Sequence, residues 1–210
     1  MTRAWDPVAA ADALAAADPT LGRVIRRYGV FGMAPPKPED PFRHLLKAIV
    51  YQQLSGASAA AIHGRVLGLF PRRRPSVAGL ARLGDDELRG AGLSRPKIAA
   101  VRDLAQKRRA GLVPGLERLQ AMDDDEILAR LTSVRGVGPW TVQMLLMFGL
   151  GRPDVLPETD LGIRKGYARA FGIDGLPAPG QVRQRAEGWR PWRSVASWYL
   201  WRAADGGGAL

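Results

Sequence analysis

Apolar positions along the chain recur at three- and four-residue intervals. Leu45 and Ile49, then Ala59, Ile62, Val66 and Leu69, fall on one side of a helical turn, as do Ile98, Val101, Leu104 and Ala105 further on. Ile127, Leu128 and Leu131 continue the pattern, and that run closes with Val134. Asp6-Pro7, Asp18-Pro19 and Asp40-Pro41 each put an N-cap acceptor before a proline at the first helical position, so helices are predicted to start near 7, 19 and 41. Asp85 opens a short helix that stops near Gly90 or Gly92, and Ser94 caps another. Further helices are predicted over 139–149, 160–171, 178–189 and 191–203. No stretch alternates with period two over β-branched residues. The predicted fold class is therefore all-α, with about ten or more short helices.

Two proline-rich breaks divide this pattern. Residues 30–40, with Pro35, Pro36 and Pro38, read as a linker, and a second break covers 152–157. They predict two helical lobes, one over 41–150 and one formed by both chain ends, 1–40 with 151–210. Asp205 to Gly208 read as a frayed tail.

Charge narrows the partners. The formal net charge is +11, and Arg supplies 26 of the 31 basic residues. The planar donor fork of Arg suits phosphate oxygens, so nucleic acid comes first as a partner. An anionic membrane surface comes last, because no long basic amphipathic helix with an aromatic face stands out. A simple solubility charge also fits composition alone. The absence of cysteine excludes disulfides, thiolate metal sites and cysteine nucleophiles. His44 and His63 are too few for a histidine metal cluster and read as structural or surface residues. Asp12 and Asp18 interrupt the Ala-rich N-terminal stretch, which is unlike a signal peptide, and no 18-residue apolar run is present. The expected location is cytoplasmic, with no membrane contact.

The most informative stretch is Val134-Arg135-Gly136-Val137-Gly138-Pro139-Trp140-Thr141. A helix ends, a turn with two glycines follows, and Pro139 starts a new helix. Val137 between the glycines is suited to plug the turn into the core. The helix start offers unpaired N–H groups to an anion such as a phosphate. An ordinary connection between two antiparallel helices is the plain alternative. Farther on, Asp160 follows Thr159 at the head of a helical run and reads locally as an N-cap.

Together these segments resemble the helix-hairpin-helix (HhH-GPD) DNA glycosylase superfamily. In that family a Gly/Pro-rich loop and an essential Asp follow the hairpin, and Asp160 in Asp154-Val155-Leu156-Pro157-Glu158-Thr159-Asp160 falls at the matching place. Ala48-Ile49-Val50-Tyr51-Gln52-Gln53-Leu54-Ser55, Trp189-Arg190-Pro191-Trp192-Arg193-Ser194 and Trp201 resemble the 3-methyladenine glycosylase II branch, in a compact form without the N-terminal β-rich domain of larger members. The resemblance covers about 40–203.

Several expectations follow from the resemblance. The fold is two helical lobes with a DNA-binding, active-site cleft between them. The activity is excision of alkylated bases from duplex DNA by a monomer associated with the nucleoid. Asp160 is the catalytic carboxylate, a role compatible with capping. Trp140, Trp201, Gln52 and Met144 line the base pocket, and Gln53 is the wedge that fills the gap left by the extruded base. Arg135, Gly136, Val137 and Gly138 grip a phosphate. The backbone carbonyls of Thr132, Val134 and Val137 hold a monovalent cation, Na+ or K+, while the chemistry itself needs no cofactor. Arg72 to Arg74, Arg95, Lys97 and Arg135 are candidate phosphate contacts. Trp189, Trp192 and Trp198 are expected to be packing residues.

Two departures sharpen the expectation. Lyase members carry a Schiff-base Lys two residues after the second hairpin glycine. Trp140 stands there, which implies a monofunctional, water-dependent cut. Met144 replaces a pocket aromatic of the bacterial enzyme and leaves base selectivity open. Two rivals stay open at this stage: a non-enzymatic helix-hairpin-helix DNA-binding module, and a glycosylase of the same fold acting on oxidised or mismatched bases.

Overall fold

Each Asp-Pro junction starts a helix. Helices α1 (Pro7–Ala17), α2 (Pro19–Tyr28) and α3 (Pro41–Tyr51) follow Asp6, Asp18 and Asp40. The three carboxylates accept from the amides of Val8 at 2.9 Å, Thr20 at 3.0 Å and Phe42 at 3.0 Å. The structure is a computed structural model that describes residues 5–33 and 39–206. Helices α4 (Gly56–Gly68), α5 (Val77–Arg82), α6 (Asp85–Gly90), α7 (Arg95–Arg109), α8 (Leu116–Ala121) and α9 (Asp124–Leu131) continue the chain. They are followed by α10 (Pro139–Met144), α11 (Leu161–Phe171), α12 (Pro179–Ala186) and α13 (Arg193–Asp205). The protein is all-α, with no strand among the described residues. No helix among them is long and apolar enough to cross a membrane.

Local departures from the sequence pattern have physical causes. The run predicted over 139–149 is α-helical only to Met144. It then widens to π geometry over Leu145–Leu150, an irregularity frequent at functional sites. Ser94 stands at the N-cap of α7 but makes no side-chain cap bond. Pro96 occupies the second helical position and removes one of the two amides a serine cap uses. Phe31 and Met33, inside the expected linker, are buried, and Phe31 packs on Trp5 and Trp198. The rest of that linker, 34–38, lies outside the described residues. The tail was expected to fray from Asp205. Instead α13 runs through Asp205, and the guanidinium of Arg169 donates to the carbonyls of Ala203, Ala204 and Gly206, closing the helix end. Gly207 and Gly208 lie outside the described residues.

The chain forms two compact units, Pro38–Leu145 and Met1–Lys37 with Leu146–Leu210. The second division falls inside the helical run 139–150, ahead of the proline-rich segment 152–157. In the first unit α3 packs on α7 and α4 over a core of Leu45, Leu46, Ile49, Leu104 and Ile127, all fully buried. Arg108 near the end of α7 pairs with the α3 cap Asp40 at 2.8 Å.

In the second unit α13 is central, touching α1, α2 and α11. It lies so close to α11 that a Cβ on Gly166 would sit 1.8 Å from the Leu200 carbonyl oxygen. Asp18 is the polar hub. Beyond capping α2, it accepts from Arg185 at 2.9 Å and from the buried Trp189 indole at 3.0 Å. Burial works against its charge, but the bonds from Arg185, Trp189 and the Leu21 amide outweigh it and hold its pKa below the ordinary value. A depressed folded-state pKa contributes stability that is present above the unfolded value of about 3.9 and is lost as pH falls through the folded pKa. Asp18→Asn keeps a cap and loses the charged bonds, so it is expected to cost about 2 kcal/mol at pH 7. That difference from wild type should shrink below about pH 4. Thermal melting of both proteins across pH 2–7 checks it, and a pH-independent gap would contradict the assignment.

Candidate active site

Asp160 stands at the end of a loop that the rest of its unit holds from several sides. The Pro157 carbonyl accepts from the Asp160 amide at 2.9 Å, and Val155, Leu156 and Pro157 are buried. Ser194 fastens the loop twice, donating its hydroxyl to the Arg152 carbonyl at 2.7 Å and accepting from the Val155 amide at 3.0 Å. Arg193 grips the Asp154 carboxylate with Nε at 2.7 Å and Nη2 at 2.9 Å, and Arg190 adds a bond at 2.8 Å. The Trp189-to-Ser194 segment thus acts mainly through main-chain and carboxylate contacts to the loop that carries Asp160. Sequence reasoning singled out this segment without its role.

Asp160 is the N-cap of α11, and its Oδ1 accepts from the Ile163 amide at 2.9 Å. The same oxygen accepts from the indole Nε1 of Trp201 at 2.9 Å. Trp201, expected only as a pocket wall, therefore also orients the carboxylate. Its ring stacks on Phe148, with centroids 6.0 Å apart and planes at 25°. Phe148 is an exposed aromatic that the sequence reading passed over. So was Gly162, where a Cβ would lie 2.8 Å from Trp201 Cδ1 and 3.0 Å from Asp160 Oδ1. Two glycines four apart inside one helix, Gly162 and Gly166, were the available signal. Glycine costs helix stability of about 1 kcal/mol relative to alanine unless packing requires it.

The hairpin belongs to the other unit. Gly136 takes φ +77°, which a side chain rarely adopts, and Val137 is buried, with its amide donating to the Val134 carbonyl at 3.0 Å. Gly138 is the N-cap of α10 and is extended, not left-handed. One face of α7 secures the turn. Asp103 accepts from the Arg135 amide at 2.7 Å, and Lys107 donates to the Ser133 carbonyl at 2.6 Å. The Arg135 and Val137 amides are thus engaged. Those of Gly136 and Gly138 are not bonded in this way within the turn.

Gln52 ends α3, and its side-chain amide donates to the Gly136 carbonyl at 2.7 Å. This ties it to the hairpin as well as placing it beside its neighbour Gln53, which is exposed with φ +58°. Lys97 does not reach outward as a phosphate contact. Its ammonium donates to the carbonyls of Val50 at 2.7 Å and Gln52 at 2.8 Å, because the end of α3 leaves those acceptors without helical partners. Arg73, although exposed, donates to the Gly64 carbonyl at 3.0 Å. Arg72, Arg74, Arg95 and Arg135 are exposed. Trp140 is 48% exposed, which is unusual for so large an apolar ring, and Met144 at the end of α10 is half-buried. Of the three packing tryptophans, Trp189 is fully buried, while Trp192 and Trp198 are half-buried.

The expected site residues therefore form two sets. Asp160 and Trp201 meet in one unit, while Gln52, Gln53 and the hairpin are joined in the other. The arrangement supplies an oriented carboxylate beside an aromatic stack, and a turn held by Asp103, Lys107 and Gln52.

Comparison with known proteins adds four findings. A family model described as HhH-GPD superfamily base excision DNA repair protein matches residues 46–191. DNA-3-methyladenine glycosylase 1 of Schizosaccharomyces pombe is 33% identical over 167 residues, 79% of this chain and 73% of the relative. The solved structure of the S. pombe 3-methyladenine DNA glycosylase in complex with abasic DNA superposes with a TM-score of 0.83 at 30% identity. It covers 94% of this chain and 97% of that one. A DNA-3-methyladenine glycosidase from Bacillus halodurans gives 0.84 at 32% identity, over 93% and 88% of the two chains.

Proposed function

The chain belongs to the HhH-GPD superfamily of base excision DNA repair proteins, and on that premise we propose that it is a monofunctional DNA glycosylase. It hydrolyses the N-glycosidic bond of alkylated bases, of the 3-methyladenine type, in duplex DNA. The observation that carries this reading is Asp160, fixed through Oδ1 by the Ile163 amide and the Trp201 indole at the head of α11. Both of these donors are neutral, so the bonds that hold the carboxylate do not cancel its charge, which a helix cap alone would not require.

The chemistry follows from charge. As the bond from C1′ to the base nitrogen breaks, the electron pair leaves with the base and positive charge builds on the sugar. An N3- or N7-alkylated purine is already cationic, so it departs as a neutral base without a general acid. The Asp160 carboxylate stabilises the sugar cation and accepts the proton of the water whose oxygen bonds to C1′. Trp140 and Trp201 offer π-faces to an electron-poor base, with Gln52 and Met144 as further pocket residues. With Trp140 where lyase members carry lysine, no Schiff base forms and the product is an abasic site in an uncut strand.

The hairpin Arg135–Gly138 grips a phosphate, and Gln53 fills the space of the extruded base. The carbonyls of Thr132, Val134 and Val137 suit a monovalent cation. They are neutral oxygens of one turn, and the Val134 carbonyl, which accepts from the Val137 amide, keeps a second lone pair. Such an ion would add positive charge beside the phosphate. The protein acts as a monomer on damaged duplex DNA of the nucleoid, in the cytoplasm.

Chromatography of the bases released from methylated DNA tests the proposal. Release of 3-methyladenine or 7-methylguanine is expected, and gel retention of DNA without any release would leave only a binding module. Trp201→Phe keeps a ring on Phe148 and loses the N–H on Asp160. It should slow single-turnover release about tenfold with DNA affinity little changed. A wild-type rate would remove Trp201 from carboxylate positioning.

A further inference from the structure

Four residues of α7 at helical spacing, Lys97, Ala100, Asp103 and Lys107, face one region of their unit. Asp103 and Lys107 hold the hairpin main chain at Arg135 and Ser133. Ala100 lies under Gly136, where its Cβ is 3.5 Å from the position a Gly136 Cβ would take. Lys97 reaches the other way, to the carbonyls of Val50 and Gln52 at the end of α3. Immediately beyond Gln52 the chain turns through the left-handed conformation of Gln53. That conformation costs a non-glycine residue about 1 kcal/mol and persists only where neighbours enforce it. The Gln52 side chain closes the circuit by donating to the Gly136 carbonyl.

We propose that Lys97 is a positioning residue for base extrusion. Its two main-chain bonds at the end of α3 hold Gln53 in its left-handed turn at a fixed offset from the phosphate-gripping hairpin, so that seating the backbone also seats the wedge. This rests on the reading of Gln53 as the wedge. A lysine suits the task because one ammonium has three donors and spans two carbonyls that the helix end leaves unpaired. Partial burial of the group lowers its pKa from the ordinary lysine value.

The test compares excision of one 7-methylguanine placed opposite cytosine with excision of the same lesion opposite an abasic-site analogue, where extrusion costs less. Full-chain wild type, Gln53→Ala and Lys97→Met are measured, with thermal melting alongside. In Lys97→Met the ratio of the first rate to the second should fall about tenfold, as in Gln53→Ala, because a misplaced wedge penalises only the paired lesion. The slope of log affinity against log salt for undamaged duplex should stay at the wild-type value.

A wild-type ratio in Lys97→Met, with Gln53→Ala lowered, overturns the proposal and leaves the wedge standing. An equal loss on both substrates also overturns it, and so does a salt slope reduced by about 0.9, which marks a phosphate contact. A wild-type ratio in Gln53→Ala removes the wedge reading and this proposal with it, and no excision by wild type removes the glycosylase reading first. If Lys97→Met does not fold, Lys97→Gln carries the test: its shorter neutral amide cannot span both carbonyls, so the ratio should still fall, and a wild-type ratio there overturns the proposal.

Discussion

With Asp160 replaced by asparagine, the protein is expected to fold, bind duplex DNA as wild type does, and release alkylated bases about a thousandfold more slowly. The contrast follows from what the side chain does in each role. As a helix cap, asparagine matches aspartate. Its amide oxygen can accept the same two bonds, from the Ile163 amide and the Trp201 indole. As a stabiliser of a sugar cation it has lost its charge, and a thousandfold is about 4 kcal/mol of transition-state stabilisation. Single-turnover base release beside a melting curve and a gel-retention titration separates the two roles. Full release by Asp160→Asn would remove the residue from catalysis, and a collapse of melting would make it structural.

The largest stability effect is expected at Gly166. Its added Cβ would meet the Leu200 main-chain oxygen at 1.8 Å, and no side-chain rotation relieves a clash with backbone. Helix α13 must move off α11, loosening Tyr199 and Leu200, which are fully buried on it. Gly166→Ala should cost about 4 kcal/mol, despite alanine being the better helix former. For a chain of this size that lowers the melting temperature by about 8–16 °C. Gly172→Ala, at the left-handed cap of α11 with nothing within 4 Å of its added Cβ, is the control for a glycine substitution without a packing clash. A smaller drop at Gly166 than at Gly172 would contradict the close-packing account.

How far this was legible beforehand depended on the kind of interaction. Proline and aspartate act within one turn of themselves, so the starts of α1, α2 and α3 were readable from three dipeptides. The hairpin was readable because two glycines and a proline have few other uses between helices. Asp160 was readable as a cap from its neighbours, and as a catalytic group only through resemblance. What escaped depended on distant partners. Lys97 looked like a surface cation until the end of α3 supplied its acceptors, from residues 45 and 47 positions away. The need for glycine at Gly162 shows only once Trp201 is placed over it. The grip of Arg193 on Asp154 joins residues 39 apart in two segments that give no local sign of meeting. Local codes were visible, whereas the bonds that aim the carboxylate required the assembled fold.

The composition of the unit carrying Asp160 has a consequence for how the molecule comes into being. Asp18 is bonded to Arg185 and Trp189 across 167 and 171 positions, and the indole on Asp160 arrives 41 residues after it. During synthesis the 38–145 segment is complete while α11, α12 and α13 are still to be made. The hairpin turn can therefore take shape first, and the first two helices must wait for the thirteenth. Such long-range closure is slow in folding terms, because the entropy of a large loop is lost before its contacts form. A nascent chain would thus pass through a stage in which the hairpin is formed while the Asp160 carboxylate still lacks the indole that orients it.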